Sequence, residues 1–382
     1  QVGNDVYTVG GVAQRFLYEE KWSQISNDYM FGTSGKSGIY ETQYPNYGVT
    51  WERAHKYNVG LEFGLWNGLL NGNIDLFHEK RNDILTNYLT RPEWVGVTMA
   101  AGNLGETVNS GFEIELKHNN HIGKEFQYNV GLTFSHAKNE IKNMDEPALK
   151  TDYRKREGHP IGQYYGLVCD GFVTAADVAD PNFPTSTFGN VQVGDLKYRD
   201  MNNDGFIDER DETFIGYSDV PENTYALTLG CNYKGIGFSV MFQGVDHVSR
   251  YYDAEAMYAF VSGGKVKEHH LDRWNPTKSE SENLASAKYP LLHYDSYGDH
   301  NQRQNSFFLK NGAFMRLKNI ELSYTLPTKW IEKVGMSDCR LYVNGNNLIT
   351  WDHLDDLCDP ESNGSNRYPI MKTVNFGVNI KF

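Results

Sequence analysis

The chain has 382 residues, 49 Asp and Glu against 36 Lys and Arg, and a formal net charge of −13, which excludes a nucleic-acid partner because phosphate backbones demand a basic surface. Mean hydropathy is −0.59, and the absence of any run of about 18 apolar residues excludes a transmembrane helix. Aromatic residues still make up 14% of the chain, a content that suits the interfacial girdles of a membrane barrel and ring contacts with ligands.

Taken in chain order, residues 1–50 read as a long loop, and a sustained period of two begins at residue 51. Tyr57, Val59, Leu61, Phe63 and Leu65 alternate with Asn58, Gly60, Glu62 and Gly64. Phe112, Ile114 and Leu116 alternate with Glu113, Glu115 and Lys117, and Phe126, Tyr128, Val130, Leu132 and Phe134 with Gln127, Asn129, Gly131, Thr133 and Ser135. The same pattern returns at Tyr225 to Tyr233, at Phe238 to Phe242, and at the end of the chain, where Val374, Phe376, Val378, Ile380 and Phe382 share one face. Alternation of this kind is the mark of strands with one apolar and one wet face. It predicts nine strands: 51–65, 68–82, 109–119, 125–138, 223–233, 236–246, 313–326, 339–349 and 373–382.

Their connections alternate in length. Those at 83–108, 139–222, 247–312 and 350–372 are long, and those at 66–67, 120–124, 234–235 and 327–338 are short. Antiparallel outer-membrane barrels have short periplasmic turns and long external loops. The expected fold is therefore all-β, a transmembrane antiparallel β-barrel with its C-terminus periplasmic and with 1–50 and the four long connections extracellular. Bacterial barrels normally close with an even number of strands. The odd count, and the start at Gln1 without an initiator Met or signal pattern, lead to the expectation of a fragment whose remaining barrel lies upstream.

One motif carries specific chemistry. In DMNNDGFIDERD, residues 200–211, Asp200, Asn202, Asp204, the Phe206 carbonyl, Asp208 and Asp211 stand at the ligand positions of a loop that turns on Gly205. Oxygen donors at that spacing suit calcium, with Ile207 as the loop's apolar anchor and a structural role for the ion. Asp211 replaces the usual bidentate Glu, and no helical pair flanks the loop. Cys169, Cys231, Cys339 and Cys358 show neither C-x-x-C nor zinc spacing and read as small hydrophobes.

No nucleophile elbow, H-E-x-x-H or Walker loop occurs. His269 and His270 are adjacent, which makes a poor metal pair, and Glu113 and Glu115 read as wall charges. No enzymatic activity is expected. For ligand contact the aromatic candidates on loops are Trp94, Tyr165, Trp274 and Tyr297.

Several blocks resemble a known family. GAFMRLKNIELSYTLPTKW (312–330), LYVNGNNLITW (341–351) and the final VNFGVNIKF are similar to the carboxyl-terminal signature of SusC-like TonB-dependent transporters of Bacteroidota. VTWERAHKYNVGLEFGLWNGLLNGNIDLFHEKRNDIL (49–85), VNSGFEIEL (108–116), EGHPIGQYYGLVCDGF (157–172), GDLKYRDMNNDGFIDERDE (194–212) and LDRWNPT (271–277) follow in the family's order. The resemblance implies a barrel of about 22 strands, with the plug domain and the TonB-contacting segment upstream of this chain. It further implies TonB-dependent import of a glycan or oligopeptide, with a SusD-like lipoprotein as a lid on the external loops. Two other readings of the same residues stand beside it: an outer-membrane porin or adhesin without a plug, and a secreted, calcium-stabilised β-protein.

Overall fold

The computed structural model describes residues 7–9, 12–14, 16–32, 34–90, 96–148, 151–252, 254–261, 264–294, 300–354, 358–362, 368 and 370–382. The chain divides into two compact units. One comprises Gln1–Val59, Leu76–Gly111 and Lys138–Ile161; the other comprises Gly60–Asp75, Phe112–Ala137 and Gly162–Phe382.

Residues 1–50, expected as one long external loop, carry strands of their own. They contain an antiparallel hairpin, β1 (Lys21–Phe31) and β2 (Ser34–Tyr44). The end of β2 pairs in parallel with Thr98–Met99. Bulges interrupt the hairpin register beside Trp22 and between Ile25 and Tyr29, so its side chains lack the clean alternation by which the other strands are read.

The nine strands expected from residue 51 onward are all present: β3 (Arg53–Leu65), β4 (Leu70–Thr86), β5 (Gly102–Ile122), β6 (Phe126–Asn143), β7 (Asn223–Tyr233), β8 (Ile236–Asp246), β9 (Phe314–Thr325), β10 (Asp338–Asp352) and β11 (Thr373–Lys381). They form one sheet in sequential order from β3 to β11. Several run beyond the expected limits; β5 begins at Gly102 and β6 ends at Asn143. Ladder hydrogen bonds need no apolar face, so a strand continues past the point where its alternation fades. The β7–β8 turn is Lys234-Gly235, with φ of 47° and 87°. Two left-handed residues match the twist of a two-residue hairpin.

In the second unit, the antiparallel registers from β6 to β11 place like with like. Val130, Leu229, Val240, Ile320, Gly345 and Val374 form one row across six strands. Below it lie Tyr128, Cys231, Phe238, Leu322, Val343 and Phe376, and then Phe126, Tyr233, Ile236, Tyr324, Leu341 and Val378. On the opposite face Asn129, Gly230, Ser239, Glu321, Asn344 and Asn375 form a wet row. Much of the apolar face stays uncovered: Leu322, Val374, Phe376 and Val378 are exposed, while Val240 in the first row is buried. A register slip lies opposite Lys318 in β9, and β10 compensates at Asn347, where φ is 53°. These bulges explain why the apolar phase jumps from Met315 and Leu317 to Ile320 and Leu322 without leaving its face.

The connections 139–222, 247–312 and 350–372 are not loose loops. Leu167, Leu196, Tyr198, Ile207, Tyr252, Met257, Tyr289, Phe308 and Leu354, drawn from all three, share one buried core. Sequence alternation does not reveal it because its members come from short bridges, turns and coil.

Candidate functional site

Two surfaces of the second unit bear on function: the loop module and the wet face of the sheet. The module is held by buried polar groups whose partners lie far away in sequence. Asp195 is 1% exposed. Its Oδ1 pairs with His293 Nε2 at 2.6 Å and accepts from Asn301 Nδ2 at 2.8 Å, and its Oδ2 accepts from the Gln192 amide at 2.9 Å. Asn301 Oδ1 in turn accepts the Leu196 amide at 2.9 Å. Beside them His300 Nε2 donates to the Leu196 carbonyl at 2.7 Å, and the Tyr198 hydroxyl donates to the His300 carbonyl at 2.9 Å. Complete burial pushes the Tyr198 phenol well above its ordinary pKa. Such a network orders the module because an unpaired buried polar group costs about 1–3 kcal/mol.

His270, one of the adjacent histidines, is fully buried. It accepts the Lys267 amide at Nδ1 and donates from Nε2 to the Met257 carbonyl. Desolvation lowers its pKa; it is a neutral packing residue.

The module is fastened to the sheet by Arg316 of β9, whose side chain is 1% exposed. Its guanidinium contacts Asp359 at 2.7 Å and Glu361 at 2.5 Å, both from the connection after β10. Arg250 adds bonds to the carbonyls of Asp219 and Pro360.

On the wet face, amides and hydroxyls dominate. Asn319 bonds Asn346 at 2.9 Å, and Asn375 bonds Asn344 at 3.0 Å. Arg340 is matched by Glu321, and Lys117 by Glu115; Glu113 accepts a long bond from Ser135. The expected wall charges are therefore largely self-compensated. The Tyr342 ring lies so close over Gly377 that an added Cβ would sit 2.2 Å from it. A groove of about 440 Å³ is lined by Glu62, Phe63, Gly64, Asn71, Gly72, Asn73, Glu115 and Lys117.

In the acidic loop, Asp200 accepts the Gly205 amide at 2.8 Å, and Asn202 accepts the Asp204 amide at 2.9 Å, with Gly205 at φ 81°. This closes the tight turn that the spacing predicts. Ile207 is buried in the module core, as an anchor should be. Asp211, fully buried, binds the amides of Met201 and Asp208. Arg210 contacts Asp204 and Asp208, each at 2.7 Å. Among the described residues, no three His, Cys, Asp or Glu side chains are gathered as a metal cluster. The chain's own guanidinium stands where a cation would be attracted.

Of the aromatic candidates, Trp274 is corrected: it is 3% exposed, edge-on to Phe172 at 5.5 Å and pressed on Gly194, hence a core residue. Tyr165 is half-buried and packs on Phe214 at 5.1 Å. Trp94 and Tyr297 lie outside the described residues. The four cysteines are free thiols. Burial pushes Cys169 up to about 11, which keeps it protonated. The sequence reading overlooked the exposed aromatics of residues 16–51, whose signal was simply their density.

Comparison with known proteins agrees with this architecture. The chain is 26% identical to TonB-dependent receptor P3 of Formosa agariphila over 95% of its own length and 37% of the relative's. It is 25% identical to TonB-dependent receptor SusC of Bacteroides thetaiotaomicron over 94% of its length and 35% of the relative's. It thus spans little more than a third of these curated relatives. A solved structure of the RagAB peptide transporter superimposes on 98% of the chain with a TM-score of 0.67 at 19% identity, which shows a shared fold. The family profile described as TonB dependent receptor-like, beta-barrel matches residues 18–348, and the chain belongs to that family.

Proposed function

We propose that this chain supplies part of the barrel wall of a bacterial outer-membrane importer. In this reading the importer takes up a glycan or an oligopeptide, is energised through TonB by an upstream segment, is gated by an upstream plug, and is covered by a SusD-like lipoprotein. The observation that carries the proposal is the registration of whole apolar rows across β6 to β11, uncovered on one side and backed by an amide-rich face on the other. An uncovered apolar band opposite a wet lumen is the arrangement that a lipid bilayer demands of a barrel. The short Lys234-Gly235 turn then lies at the periplasmic rim with the C-terminus, and the loop module faces outward, where a lid protein and its cargo would meet it. Names among the relatives support the import reading: SusC on one side, a peptide transporter on the other.

The test is to purify the full-length protein from membranes in mild detergent and to measure uptake of labelled oligomers with and without TonB. Co-purification with a lipoprotein and uptake that vanishes without TonB are expected. Uptake independent of TonB, with no plug upstream, would leave a porin.

Calcium at Asp200, Asn202, Asp204, the Phe206 carbonyl, Asp208 and Asp211 belongs to the same proposal, as a structural tie for the module. Binding would require Arg210 to release Asp204 and Asp208. What supports it is the donor spacing and the Gly205 turn. Chelation should then lower the melting temperature of the wild type and leave Asp200→Asn unmoved; a wild type indifferent to chelator would remove the ion from the account.

A further inference from the structure

On its wet face the wall changes character towards its outer end. Thr133, Ala226, Gln243, Arg316 and Thr350 form one row on that face across β6 to β10, and Ser135, Thr224, Val245, Phe314 and Asp352 form the next row outward. Nearer the periplasmic rim the same face carries Ser239, Glu321 and Asn344. In the two outer rows Val245, Phe314 and Arg316 are buried. A guanidinium leaves water only where charged or hydrogen-bonding partners replace it, so chain must fold over this part of the lumen face.

The chain that does so belongs to the module. Val248, at the start of the connection after β8, completes a buried cluster with Val245 and Phe314. From the same connection Arg250 donates to the carbonyls of Asp219 at 2.6 Å and Pro360 at 3.2 Å, so all three long connections meet here. The last of them lies on Arg316, which holds Asp359 at 2.7 Å and Glu361 at 2.5 Å, while Lys318 reaches Glu361 at 3.4 Å. Asp359 closes a tight turn: its Oδ1 accepts the Glu361 amide at 2.9 Å and its carbonyl accepts the Ser362 amide at 2.8 Å. At the other side Leu354 and Cys358 pack in the module core. The turn 358–362 thus reaches from that core to the lumen face of the wall.

Strands that complete a barrel add cover to these groups and remove none, so the burial of Arg316 does not depend on the sheet's open edges. Two cations, Arg316 and Lys318, face two carboxylates, Asp359 and Glu361. The clamp carries no net charge, and its effect on a solute entering the barrel is steric.

We propose that the turn 358–362 is a strap folded inward over the lumen face, with Arg316 as its positioning residue, and that it narrows the outer entrance of the barrel. The effect on passage rests on the import reading; the placement of the strap does not. The test is thiol labelling of the full-length transporter in isolated outer membranes, with a small maleimide and a polyethylene-glycol maleimide, mapped by mass spectrometry. Cys358 reports the strap, and Ala226→Cys, in the row of Arg316, reports the lumen face. Arg316→Ala should speed labelling of Cys358 by about tenfold or more, because reaction follows the population of the opened segment. Arg316→Lys, which keeps the charge and loses the planar fork, should fall between. At position 226 the Arg316→Ala change should favour the large reagent over the small one, the mark of a wider entrance. Cys169, which packs on the same core, is the reference and should not move. Equal rates at Cys358 in wild type and Arg316→Ala overturn the strap, and so does a rise shared by Cys169, which would mean that the module opens as a whole. Rates at position 226 that keep a fixed ratio overturn the narrowing. TonB-dependent uptake, measured on cells carrying the same variants, separates the two readings. The expected labelling with no uptake by the wild type keeps the strap and sinks the import reading, and uptake with labelling unmoved does the reverse.

Discussion

The six-strand wall and the loop module satisfy the hydrophobic effect in opposite ways. Along the wall, Leu229, Leu322 and Phe376 touch like residues on neighbouring strands and leave one side open for a solvent that is itself apolar. In the module, Leu167, Leu196 and Phe308 are sealed from every side, and polar groups as deep as Asp195 and Asn305 are hydrogen-bonded among themselves. A wall can therefore be specified by local alternation and register, whereas a module requires particular long-range partners. Arg316 joins the two modes, with its guanidinium in the module and its backbone in the wall.

The largest expected effect tests that junction. Arg316→Ala takes the guanidinium away from Asp359 and leaves Glu361 only the longer contact with Lys318 at 3.4 Å, and loss of one partner from a buried pair costs about 3–5 kcal/mol. Limited proteolysis should then cut first within 350–372 while the barrel remains heat-resistant on a gel. Cleavage spread evenly over the chain would mean that wall and module are not separable. Next in size, Val130→Arg, set in an apolar row, should impair insertion by about 2–4 kcal/mol, whereas Thr133→Arg on the wet face should be much milder. Folding into vesicles measures both, and equal effects would reverse the faces. The smallest concerns the module alone. Ser279 caps the helix Glu280–Ser286 in a reciprocal box with Glu282. Ser279→Ala should lower module stability by about 1 kcal/mol, read as faster hydrogen exchange at residues 280–286 with the strand amides unaffected.

Position in the fold decided how much could be read in advance. All nine strands of the sheet were legible, most of them because they carry a face of Val, Leu, Phe or Tyr at every second residue over much of their length. The bulges at Lys318 and Asn347 were visible only as a phase jump. At the acidic loop, the Gly205 turn and the Ile207 anchor were legible from spacing. The contact of Arg210 with Asp204 and Asp208 was not, since a ligand pattern says nothing of which neighbouring cation will fold back on it. Trp274 looked like a free loop aromatic; Gly194 and Phe172, far from it in sequence, make it core.

By itself the sequence determined the strands, their two faces, their order and the short turns, because periodicity and turn chemistry act over a few residues. Tertiary structure alone decided that three long connections share a core, that Arg316 ties one of them to the wall, and that Val245 and Phe314 lie buried on a face that is otherwise wet. Those outcomes depend on side chains brought together across the chain, and no local pattern encodes such a meeting.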